Sequence, residues 1–124
     1  MEHLKYLSWA NYVFAGLHLL AVGLVLLMGL GVVGLMVSEG LYPAEVAMQT
    51  APIIGGAFVM ICFSMLYVVA GSGVAVGRRR GLQTVLAVLN LCGCPGIFFA
   101  GYSLWVCYGN SATKQVFDEG GLLE

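Results

Sequence analysis

Three long stretches of this chain, 12–37, 53–77 and 82–108, contain no Asp, Glu, Lys or Arg. Charged residues make up only 9% of the 124 residues and hydrophobic residues 60%, whereas a soluble domain carries roughly 25% charge. The stretches of 26, 25 and 27 residues each exceed the roughly 20 apolar residues that a helix needs to cross ~30 Å of hydrocarbon. That excludes an ordinary water-soluble globule. The net charge of −1 argues against a nucleic-acid partner, which requires a basic surface to displace counterions from phosphates. With no carboxylate inside the stretches, the usual carrier of protons or cations is missing. There is also no Ser/His/Asp set, no paired carboxylates, no metal-ligand cluster and no phosphate-cradling loop, so no enzyme and no cofactor are expected. Gly71-Ser72-Gly73 falls inside an apolar stretch and lacks the strand-to-helix context of a nucleotide loop.

What is present reads as an all-α membrane protein. A single integral membrane domain, 1–124, is expected to hold three transmembrane helices at 12–37, 53–77 and 82–108, followed by a polar, partly disordered tail over 109–124. The first span is too long to be the short apolar core of a cleaved leader, and it ends Gly-Leu-Met-Val-Ser-Glu rather than in a small-residue cleavage site. The connection over 38–52 is longer than a tight turn requires. Pro43 suits a first helical turn, so a short interfacial helix is expected there, before Thr50 and Pro52 begin the second span.

Basic residues near span ends stay on the cytoplasmic side. Arg78, Arg79 and Arg80 fill the turn after the second span, and Lys5 joins them on the same side, which accounts for 4 of the 5 basic residues. The expected topology is therefore N-terminus cytoplasmic and C-terminus outside. The arginines serve as topology signals that can also hold anionic lipid headgroups. Tyr6, Trp9 and Tyr12 would form one interfacial belt, and Tyr102, Trp105 and Tyr108 the opposite one.

Lipid gives helices no hydrophobic drive to meet, so small residues mark where backbones approach. Gly16, Gly23 and Gly34 share one face of the first span. Ala57, Ser64 and Gly71 recur every seven residues on the second, and Gly73 and Gly77 form a GxxxG. Asn11 and His18 lie on another face of the first span, which Gly29 continues, and Asn90 lies in the third. Each of these polar groups needs a hydrogen-bond partner inside the membrane, as does the hydroxyl of Tyr67, whose isolation would cost several kcal/mol. Interhelical contact is the expected role. Haem ligation by His18 would need two protomers, because the chain has no second intramembrane His. Cys62, Cys92, Cys94 and Cys107 all lie within spans and read as small apolar residues. Gly93, Pro95 and Gly96 are expected to kink the third span near its centre.

The opening Leu7-Ser8-Trp9-Ala10-Asn11-Tyr12-Val13-Phe14-Ala15-Gly16-Leu17, the hairpin Gly77-Arg78-Arg79-Arg80, and the stretch from Val85 through Pro95-Gly96 to Gly101 together resemble a family of short bacterial multi-span inner-membrane proteins. That family's proline is followed by a Gly-Thr pair, whereas Ile97 and Phe98 occupy the region here without the Thr. The resemblance implies a multi-span topology and a bacterial inner membrane, and it lends no catalytic residue. The expected function is that of a structural or accessory subunit, whose partners are the lipid bilayer and either itself or other membrane-protein subunits. The alternatives are a small oligomeric channel or transporter lined by the Asn11/His18 face, and a haem- or quinone-linked electron-transfer subunit.

Overall fold

The structure, a computed structural model, describes residues 1–92 and 96–121. It is all-helical, with no strand among the described residues. Helices α1 (Glu2–Ser38) and α2 (Pro43–Ala75) are both long and apolar enough to cross a membrane, with mean hydropathy of 2.7 and 2.4 over their most apolar windows. Three shorter helices follow: α3 (Arg80–Asn90), α4 (Gly96–Leu104), which continues into a π-helical turn over Trp105–Gly109, and α5 (Ser111–Asp118).

Helix ends follow local chemistry. After α1, the amides of Gly40 and Leu41 reach back to the carbonyls of Val37 and Met36, closing a Schellman motif. Pro43 opens α2, where its missing N–H forfeits nothing, and the Glu45 carboxylate accepts from the Tyr42 amide at 3.4 Å, in the manner of a capping box. No separate interfacial helix lies between 38 and 52. The chain from Pro43 is already α2, and the helix runs unbroken past Pro52. At its other end Gly77 adopts φ +71°, a left-handed conformation that strains any residue with a Cβ. Its amide and that of Arg78 bond to the carbonyls of Val74 and Gly73, which ends the helix.

The segment 82–108 is not one crossing helix. Gln83 of α3 hydrogen-bonds Ser103 at 3.0 Å, and the hydroxyls of Thr84 and Tyr108 meet at 2.9 Å. Asn90 lies against Gly96. The start of α3 thus meets the far end of the segment and the end of α3 meets the start of α4, so α3 and α4 form an antiparallel hairpin. Eleven residues of α3 span only about 16 Å, far less than the hydrocarbon thickness. The expected kink at Pro95, together with Gly93 and Cys94, lies outside the described residues.

By compactness the chain divides into two units, Met1–Phe14 with Leu66–Glu124, and Ala15–Met65. The first unit holds most of the large buried side chains: Leu4, Leu7, Val74, Leu86 and Val106. Polar Asn11, Gln83, Ser103 and Thr113 are buried among them. In the second unit α1 and α2 pair along one seam. Ala15 and Val22 are buried on α1, Ala57 and Ser64 on α2. The Ser64 hydroxyl donates to the Ala15 carbonyl at 3.0 Å, and a Cβ on Gly29 would lie 3.0 Å from Ile53. An apolar groove of about 270 Å³ opens beside this seam between Leu26, Val33, Val46 and Ile53.

Candidate functional site

The polar groups of the first unit converge on one buried line. Asn11, one turn before the end of that unit's share of α1, donates from Nδ2 to the Leu7 carbonyl and to Gln83 Oε1, both at 2.9 Å. Gln83 Nε2 passes the chain on to Ser103 Oγ at 3.0 Å. All three side chains are fully buried. Gly71 makes room for them, since a Cβ there would meet the Asn11 Cβ at 3.1 Å and the Ser8 carbonyl at 3.2 Å. The line therefore joins α1, α3 and α4 through neutral amides and a hydroxyl, and Asn11 Oδ1 is left buried with no partner among the described residues. Such a network positions helices; it holds no nucleophile beside a base.

A second polar contact closes the far end of the hairpin. The Asn90 amide donates to the Tyr67 hydroxyl and, at 2.7 Å, to the Leu86 carbonyl. Tyr67 in turn joins an aromatic triad with Phe14 and Phe99, whose centroids lie 4.4–5.8 Å apart. Gly96 fits against Asn90 only because it is glycine: a Cβ would come within 2.7 Å of the Asn90 carbonyl and side-chain oxygens.

The arginine turn is occupied by the protein itself. Arg79 takes a left-handed φ of 59°, lays its stem over Gly73, and donates from Nη1 to the Val69 carbonyl at 2.7 Å. Arg80 pairs with Asp118 at 2.6 Å and places its guanidinium 4.0 Å over the Tyr108 ring. Arg78 Nε reaches the Gly120 carbonyl at 3.4 Å. Gly77 packs against Val116 of α5. Gly73 and Gly77 thus serve close approaches within the protomer. Over its described residues the tail holds α5: Asn110 caps it by accepting from the amides of Ala112 and Thr113, and the Thr113 hydroxyl donates to the Val106 carbonyl.

Tyr6 of one expected aromatic belt and Tyr102 and Trp105 of the other meet around His3. His3 contacts Tyr6, meets Trp105 edge-on at 5.0 Å, and hydrogen-bonds the Tyr102 hydroxyl at 3.3 Å. The start of α1, the arginine turn and the C-terminal helix therefore share one end of this unit. The reversal between α3 and α4 is what brings the arginine turn and the tail together.

In the second unit, His18 stacks on Phe63 with centroids 6.4 Å apart. Ala57 and Ser64 lie on the seam, whereas Gly16, Gly23 and Gly34 point outward with nothing within 4 Å. A two-helix pair has one seam, and the Ala15/His18/Val22/Gly29 face of α1 takes it. Cys62 and Cys92 are exposed and Cys107 is buried; Cys94 lies outside the described residues. Among the described residues no three His, Cys, Asp or Glu side chains are grouped to hold a metal ion.

Sequence reasoning missed His3, Gln83 and Ser103. Gln83 and Ser103 sit near the two ends of one charge-free stretch, and polar residues at both ends are the signal that a hairpin rather than a crossing helix was encoded. No family model, curated protein or solved structure matches the chain.

Proposed function

We propose that this chain is an integral protein of a bacterial inner membrane and acts as a structural or accessory subunit through helix packing, with itself or with other membrane subunits. Helices α1 and α2 would cross the bilayer. The α3–α4 hairpin would dip into it from the cytoplasmic side, placing both termini with the arginine turn on that side. One observation carries the reading. The buried Asn11, Gln83 and Ser103 side chains of the first unit bond to one another, while the outward faces of α1 and α2 in the second unit present large apolar residues, among them Leu20, Leu27, Leu30, Phe58 and Met65. Gly16, Gly23 and Gly34 run through that surface uncovered. Lipid suits the large residues, and a neighbouring helix suits the small ones. The hairpin supports the dip in the same way, since Val88, Leu89, Ile97 and Phe98 are all exposed and would form an apolar patch in water.

Native mass spectrometry from mild detergent tests the assembly reading. Defined oligomers or a co-purifying membrane subunit are expected; monomers alone under every mild condition would overturn it.

A further inference from the structure

We propose that Arg78 and Arg80 form a site for the phosphate of an anionic lipid headgroup, which the Asp118 carboxylate fills from within until such a lipid displaces it. The inference rests on the membrane reading above.

Depth is the first support. The Arg80 guanidinium lies over the Tyr108 ring, and Tyr108 shares this unit with the exposed rings of Tyr6, Trp9, Tyr12 and Trp105. Amphipathic rings settle at the headgroup layer, where lipid phosphates also lie. Arg80 is thereby held at phosphate depth.

Occupancy is the second support. Asp118 engages one nitrogen of Arg80, Nη1, and leaves Nε buried and without a partner among the described residues, so that donor becomes reachable only when α5 moves aside. A guanidinium is a planar fork matched to paired oxygens, and a phosphate can use donors that this single contact leaves idle. Asp118 is itself half exposed, at 53%. The present partner of Arg78 is the Gly120 carbonyl, just beyond the same helix. One short element, α5 with its cap, therefore supplies both current partners, and its departure would free both arginines together.

The third support is the contrast with Arg79. Its stem covers Gly73 and its Nη1 is bound to a carbonyl of α2, so it fixes the turn and leaves its two neighbours as the exchangeable pair. A phosphodiester replaces the carboxylate with the same sign of charge and more oxygens, and α5 is released into water as its carboxylates move away from the lipid charge.

Hydrogen exchange read by mass spectrometry on the full chain tests this in nanodiscs of phosphatidylcholine, of phosphatidylcholine with phosphatidylglycerol, and of phosphatidylcholine with added inorganic phosphate. Amides over 112–119 are expected to exchange at least about threefold faster with phosphatidylglycerol than without it, the scale set by losing a partly exposed ion pair. In Asp118→Asn the same amides should exchange fast in every disc, and in Arg80→Gln they should not respond to phosphatidylglycerol. Equal exchange with and without phosphatidylglycerol in the unmodified chain, while 15–37 stay protected, would overturn the proposal and leave the membrane reading intact. An equal response to inorganic phosphate would overturn the lipid assignment. Unprotected 15–37 in all discs would bring down both readings.

Discussion

The Gln83 side-chain amide donates to the Ser103 hydroxyl at 3.0 Å, across 20 residues of sequence that a continuous helix would hold about 30 Å apart. That one bond decides that 82–108 turns back on itself, and through it the arginine turn and the C-terminal helix come to the same place.

Asn11 and Gln83 should behave as a coupled pair. Asn11→Leu leaves the buried Gln83 Oε1 without its donor and is expected to destabilise the protein by about 1–3 kcal/mol. Gln83→Leu should do the same from the other side. In the double variant the second substitution should cost less than alone, because no orphaned amide is left facing its partner. Thermal unfolding in detergent measures all three, and strictly additive losses would disprove the coupling.

Gly77→Ala forces a Cβ into a left-handed backbone that already touches Val116. A loss of at least about 1–2 kcal/mol is expected, again by thermal unfolding. Gly40→Ala, with φ +74° but nothing within 4 Å, should cost the backbone share alone.

Gly16→Leu and Gly23→Leu meet nothing within the protomer, so monomer stability should change by no more than about 0.5 kcal/mol. If the outward glycine face holds a neighbouring helix, the same variants should shift oligomers toward monomers on native gels. Unchanged oligomers would place the contact elsewhere.

Topology reporters fused at each end should report the same side of the membrane, and one inserted in the connection at 39–42 the other side. A C-terminal reporter opposite the N-terminal one would mean that the α3–α4 segment crosses.

Thiol labelling separates the cysteines by burial. Cys62 and Cys92 should react with a small maleimide in detergent, and Cys107 should react only after denaturation.

The sequence made the two long helices legible because charge is expensive in hydrocarbon, and the gaps between Asp, Glu, Lys and Arg outline them. It hid the hairpin because Gln83, Thr84, Asn90 and Ser103 are polar without being charged, so a count of charges cannot tell one crossing helix from two short ones folded together. The expected start of the second span falls too late because Thr50 and Pro52 resemble a helix start, although the helix opened by Pro43 and the Glu45 cap runs on through both. Asn11 and Asn90 stood out as groups in need of partners, yet the partner of Asn11 could not be named without knowing that 82–108 doubles back. The outward glycines read as contacts because spacing reveals a face but not which face the neighbouring helix takes.

The bond between Asn11 and Gln83 joins residues 72 apart, which sets an order of events at the ribosome. At about 5–20 residues per second, Asn11 waits roughly 4–14 s for its partner to be synthesised. During that interval the Asn11 amide has the Leu7 carbonyl of its own helix as its acceptor, and the bond that ties α1 to α3 is the later of the two to form.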